Sequence, residues 1–187
     1  LKIAEQFYTR NGLPLNFDRD RQGVDELALR DGDEAHAYYI EQGYTTAQLN
    51  FDREPRFYAF LGFDGGKWVG ALTNYNDLKP SDIYSVENRM GKALAKSSNE
   101  SGPVTGYYPK KMYPYRNRIG ANGSPLSTYW YPWPMIRLAD LYLLYAEAIN
   151  EAEGPNGAHS AEMFQYIDAV RTRAGIPDVK TAWDQYS

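Results

Sequence analysis

The 187-residue sequence contains no cysteine. That excludes a disulfide framework, a zinc–thiolate site and a thiol nucleophile, but it leaves the compartment open, because proteins outside the cytoplasm also do without disulfides. Histidine is nearly as scarce. His36 and His159 are the only two, each in a polar segment and neither at ligand spacing to a second histidine, so no zinc site is expected. No run of about 18 apolar residues occurs, and therefore no membrane-spanning helix. The most apolar stretch, MIRLADLYLLYAEAIN, is interrupted by Arg137, Asp140 and Glu147. Positive charge is not in excess either: 20 Lys and Arg against 24 Asp and Glu leave a net charge of −4, the opposite of a nucleic-acid footprint. At the start there is no basic segment followed by an apolar run, so no secretory signal peptide is expected within these residues.

Catalytic motifs are missing as well. There is no GxSxG elbow, P-loop or dinucleotide fingerprint, and DGG and GANG read as turns. Asp18 with Asp20, or Asp25 with Glu26, would be the candidates for a glycosidase pair. Their flanking arginines would lower the carboxyl pKa values, which is wrong for a general acid. The sequence gives no argument for an enzyme, and no cofactor is expected. The carboxylates from Asp18 to Asp25 suit calcium binding and plain solvation equally.

What the sequence has in abundance is aromatic rings. Seventeen Tyr, four Trp and seven Phe make up 15% of it. Tyrosine joins a flat apolar face to a hydroxyl that must stay wet or paired, which suits contact with amphipathic ligands or a partner protein. Ordinary packing accounts for most of the individual rings. In GYYPKKMYPYRNR (106–118) tyrosines and prolines alternate with Lys110, Lys111, Arg116 and Arg118. Such a mixture can bind single-stranded nucleic acid, but the acidic chain and the prolines favour an extended segment whose rings lie on the protein or bind a polar ligand.

The chain divides into a loop-rich region, 1–132, and a helical region, 133–187. In the first, NGLP (11–14) signals a turn, and DGDEAHAYYIEQGY predicts a short helix capped by Asp33 and stopped by Gly43. RFYAFLGF (56–63), DGG and KWVGAL (67–72) predict a small β-hairpin within 56–72. In the second, Leu138, Leu141, Tyr142, Tyr145, Ala148, Ile149 and Ala152 recur at the spacing of one helical face, widened by Leu143 and Leu144. Pro134 suits its first turn, and GPNG (154–157) stops it. A second helix is expected from an N-cap at Ser160, with Met163, Phe164, Ile167, Val170 and Ala174 on one face and Gly175-Ile176-Pro177 as its end. The pair forms a tetratricopeptide-like unit, which cannot bury both its faces alone.

Five stretches in order now carry a resemblance: FYTRNGLPL (7–15), LNFDREPRFYAFLGFDGGKW (49–68), GYYPKKMYP (106–114), WPMIRLADLYLLYAEAINEA (133–152) and YIDAVRTRAGIPDV (166–179). Together they resemble the SusD/RagB family of outer-membrane nutrient-binding lipoproteins. The resemblance implies a mainly α, SusD-like fold with long loops, in which tetratricopeptide-like pairs support a loop-rich ligand-binding region. It implies non-catalytic capture of oligosaccharides at the cell surface, through aromatic stacking and hydrogen bonds. The partner implied is a SusC-like TonB-dependent transporter in the outer membrane. The family's signal peptide, lipidated cysteine, early helical pairs and closing motifs have no counterpart here, so a middle-to-late portion of such a protein is expected. In an alternative reading this portion is mainly scaffold and protein-interaction surface, with the glycan site elsewhere.

Trp68 stands close to where similar proteins place a ligand-stacking ring. Asn74 and Tyr75 follow it in a polar loop, and Tyr44 lies in another loop before FDREPR. These four are the candidate sugar contacts. Packing competes as a role for each and is the stronger one for Tyr44 and Tyr75. Arg53 and Arg56 read as structural, pairing with Asp52, Glu54 or the helical unit.

Overall fold

The structure, a computed structural model, describes residues 2–69, 82–92, 94, 103–111, 113–114 and 129–187. They fall into two compact units, one of Asp25–Phe51 and Tyr58–Tyr131, the other of Lys2–Val24, Asp52–Phe57 and Pro132–Ser187. Five helices are described: α1 (Lys2–Glu5), α2 (Pro55–Phe60), α3 (Leu138–Glu153), α4 (Ser160–Arg173) and α5 (Val179–Tyr186). The described strands are three residues long and form separate antiparallel pairs: β1 (Leu29–Asp31) with β2 (Thr45–Ala47), β3 (Leu61–Phe63) with β6 (Tyr107–Pro109), and β4 (Lys67–Val69) with β5 (Ile83–Ser85). The architecture is mainly helical with long connections and small sheets.

Among the described residues the expected hairpin within 56–72 does not form. Pro55, whose fixed φ and missing N–H suit a first helical position, starts α2, and RFYAF winds into that helix. Only Leu61–Phe63 of the segment is strand, and it pairs with Tyr107–Pro109. Beyond the turn, Lys67–Val69 pairs with Ile83–Ser85 instead of returning along β3. The turn's backbone groups explain why: Gly65 N–H donates to Val86 O (2.7 Å), Gly65 O accepts from Glu41 N–H (2.8 Å), and Lys67 N–H donates to Tyr39 O (2.8 Å). Groups that would close a hairpin are spent on other segments.

In the first unit Ile40, Phe51 and Val86 are fully buried, with Leu49 and Phe63 nearly so. Tyr39 stacks on Tyr58 with centroids 4.0 Å apart. The predicted short helix near 33–43 is a single 3-10 turn, Glu34–His36, with the Asp33 carboxylate accepting from His36 N–H, and Gly43 sits at φ 75°.

The second unit is tied by Arg53, which is 3% exposed. Its guanidinium donates to the carbonyls of Ala4 (2.7 Å), Phe7 (2.5 Å) and Tyr8 (3.4 Å) and lies 4.7 Å from the Phe57 ring. Glu54, equally buried, accepts from Tyr8 N–H (2.9 Å) and from Arg56 Nε (2.7 Å). Arg56 pairs with Glu54, as its sequence context suggests, whereas Arg53 donates to main-chain carbonyls.

α3 and α4 pack against each other through tyrosines, with Tyr166 4.9 Å from Tyr142 and 5.2 Å from Tyr145. α3 begins at Leu138, four residues after Pro134, so that proline lies in an irregular entry and not in the first helical turn. Ser160 is the first residue of α4 and not its cap; the His159 N–H at that end is taken by the Glu153 carboxylate (3.0 Å). At its far end α4 closes with the predicted signature: Gly175 takes φ 79°, its N–H donates to Thr172 O, and the N–H of buried Ile176 donates to Arg171 O. The broad apolar stripe on α3 is only partly covered, since Leu138, Leu141 and Leu144 remain 60%, 51% and 60% exposed.

Arg53→Met keeps the aliphatic stem but leaves buried carbonyls without a donor. It should cost about 3 kcal/mol, measured by urea unfolding. His159 and Glu153 form a clamp at 2.6 Å. Hydrogen bonding to Glu153 raises the His159 pKa above 6.5, and hydrogen bonds from His159 lower that of Glu153 below 4.5. The clamp therefore contributes in full between pH 4.5 and 6.5. It weakens as pH rises through the raised histidine value or falls through the depressed glutamate value. Melting curves against pH should show this dependence reduced in His159→Gln.

Candidate ligand site

Trp68 is the middle residue of β4, directly across from Tyr84 of β5. Cross-strand partners share a face, so the two rings start from one side of the small sheet. In the adjacent pair, Gly62 of β3 stands opposite Tyr108 of β6. A Cβ on Gly62 would lie 2.5 and 2.6 Å from Trp68 Cζ3 and Cε3. The indole thus covers the β3 backbone at the one position where only a hydrogen leaves room. Tyr108 and Tyr113 meet Trp68 edge-on, with centroids 6.3 and 6.0 Å away and planes at 71° and 83°. Tyr108 is fixed by its hydroxyl, which donates to Leu94 O (2.8 Å). Tyr84 stays 44% exposed, and burial together with the nearby Tyr113 phenol raises its pKa.

Lys110 completes the cluster. Its Nζ donates to Tyr58 O (3.0 Å) and Lys67 O (2.8 Å) and lies 5.4 Å from the centre of the Trp68 ring. Burial alone lowers its pKa to about 8. Trp68, Tyr84, Tyr108, Tyr113 and Lys110 form an aromatic shelf with one ammonium, and none of the five bonds a carboxylate among the described residues. Such a shelf can stack the apolar face of a ligand and donate hydrogen bonds at its edge.

Tyr44 occupies a different place. Its hydroxyl donates to Asp64 Oδ1 (2.8 Å), the Arg89 guanidinium lies 4.8 Å from its ring, and the ring packs against the turn at Gly65. Burial, and then the bond to Asp64, raises its pKa. No contact joins Tyr44 to Trp68 among the described residues. Asn74 and Tyr75 lie outside the described residues. The sequence reading passed over Tyr84, Tyr108, Tyr113 and Lys110 as site residues. The alternation in GYYPKKMYP carried a usable signal, since Tyr108 and Lys110 are two apart and fall on one face of an extended chain. Nothing in the sequence marked Tyr84.

Among the described residues no group of three or more His, Asp or Glu side chains is placed to hold a metal ion. No helix among them is long and apolar enough to cross a membrane.

A model of the SusD family matches residues 1–187. The chain belongs to the SusD family. Two solved structures of BT4246 from Bacteroides thetaiotaomicron, a SusD-like protein, match its fold. One has TM-score 0.69 and 27% identity, the other, the selenomethionine form, 0.64 and 26%. Each match covers 95% of this chain but only 27% and 28% of BT4246, so the chain spans under a third of those relatives. No curated protein matches it in sequence. At the level of the family the function is glycan binding, and family members are binding proteins, not enzymes; the family's place is the outer-membrane cell surface.

Gly62→Ala forces Trp68 off the β3 backbone. The substitution should cost about 1–3 kcal/mol through overpacking and shift the tryptophan emission, a shift that disappears in the Trp68→Phe background.

Proposed function

We infer that this SusD-family chain binds an oligosaccharide without catalysis and hands it to a SusC-like TonB-dependent transporter at the cell surface. The observation that carries the reading is the Trp68 shelf, a held indole met by Tyr108 and Tyr113, with Tyr84 across the ladder and the Lys110 ammonium over the ring. Pyranose rings present C–H faces that stack on indole, and their hydroxyls take hydrogen bonds from phenols and amines. Trp68 is then the stacking ring, joined by Tyr84, Tyr108 and Tyr113. Asn74 and Tyr75, five and six residues beyond the end of β4 along the chain, remain proposed contacts. Tyr44 acts at a remove by bracing the turn before Trp68.

A second reading has its own support. The exposed leucines of α3, with Trp130 and Met135 84% and 88% exposed, favour a portion that serves as scaffold and interaction surface, with sugar bound elsewhere in a longer protein. Calorimetric titration with a panel of oligosaccharides separates the two. The first requires binding that weakens at least about tenfold, or about 1.4 kcal/mol, in Trp68→Ala. The second is favoured if this chain binds no sugar while a longer protein containing it does.

A further inference from the structure

Lys110 is the one group in the shelf whose chemistry neutral sugar binding leaves unused. An ammonium has three donors, and only two are accounted for, by Tyr58 O and Lys67 O. A cation that gives up part of its hydration is normally paired with a carboxylate, because that loss is costly, and Lys110 is half-buried. Lys110 has no such partner among the described residues, and its lowered pKa has burial as its only cause. The neighbouring lysines are engaged elsewhere, Lys67 Nζ 3.7 Å from Glu41 Oε2 and Lys111 Nζ 5.5 Å from the Phe60 ring, which leaves Lys110 as the cation of the shelf. The chain's net charge of −4 acts from farther away, where salt screens it beyond roughly 8–10 Å, so the contact charge decides.

Building on the sugar-binding reading of this site, we propose that the Trp68 shelf selects an acidic sugar, with Lys110 Nζ donating its third hydrogen to the carboxylate or sulfate while the pyranose stacks on Trp68. The anion supplies the charge partner that the fold withholds, beside the ammonium 5.4 Å from the ring centre. Lys110 is therefore a specificity-determining residue as well as a brace between α2, β4 and the segment after β6.

The test titrates the whole chain with an oligogalacturonate and its methyl ester, which removes the charge at the cost of one methyl group per sugar, and with a sulfated galacto-oligosaccharide and its desulfated form. At least one acidic member should bind at least tenfold more tightly than its neutral counterpart. Which pair shows the preference tells carboxylate from sulfate. The preference should shrink with added salt and vanish in Lys110→Met, while Trp68→Ala weakens both members. Equal binding within both pairs, or a preference that survives Lys110→Met, overturns the inference and leaves sugar binding standing. Should no member bind while a neutral oligosaccharide of the wider panel does, this inference is overturned and sugar binding stands; should nothing in that panel bind either, both fail. If Lys110→Met does not fold, the wild-type chain decides: a preference that does not respond to salt overturns the proposal.

Discussion

The carboxylate of Asp64 holds the site region together. Its Oδ1 accepts from the Tyr44 hydroxyl (2.8 Å) and from the main-chain N–H of Asn88 (3.0 Å) and Arg89 (3.2 Å), and its Oδ2 faces Arg89 Nε at 3.4 Å. Hydrogen bonds to a charged acceptor contribute about 1.5–3 kcal/mol each when they are well formed. Here they join three segments distant in sequence, around Tyr44, Asp64 and Asn88. The neighbouring backbone follows suit, with Val86 N–H donating to Gly66 O (2.9 Å). Because Val86 is fixed immediately after β5, the register that sets Tyr84 across from Trp68 is fixed with it.

From that turn the rest of the shelf follows. β3 and β4 leave it toward different partners, so the indole of β4 is free to lie over Gly62 of β3 instead of over a hairpin neighbour's side chain. β6, brought in by β3, then delivers Tyr108 and Lys110. The ammonium ties α2 and β4 by their carbonyls, at the cost of its own hydration. Arg53 solves the corresponding problem in the other unit, where one side chain satisfies carbonyls at the end of α1 and beyond. In both places a long cationic side chain does work that a longer sheet would otherwise do.

How legible all this was depends on the range of the interactions. α3, α4 and the Gly175 terminus were readable because helical spacing and end caps are local, and the same holds for Asp33 and Gly43. The hairpin was misread because aromatic β-propensity in RFYAF competes with Pro55 and Glu54, which start a helix, and because the partners of a short strand are chosen by distant backbone groups. Pro134 was placed too far into its helix for a related reason: proline permits a first turn without requiring one. Trp68 was legible as a candidate from the resemblance. Tyr84 and Lys110 entered only once the strand pairing and the missing carboxylate were known. Tyr44 was singled out as a loop tyrosine, yet its hydroxyl is committed to Asp64, a pairing twenty residues away in sequence.

Exposure alone would have chosen a different ring. Trp130 is 84% exposed, stands among the prolines of YWYPWP and offers more open surface than the half-buried Trp68. Binding, however, charges each ligand contact for the freedom its side chain loses, about 0.5–1.5 kcal/mol for a mobile one. Trp68 has met that cost on folding: β3 lies beneath it, Tyr108 and Tyr113 stand against its edges, and Lys110 is near its face. A stacking interaction with a sugar is of the same order as the entropy at stake, so the held ring retains most of its gain while a loose ring would lose it. Pre-organisation, more than accessible aromatic area, is what favours the Trp68 shelf over Trp130 as the proposed ligand contact.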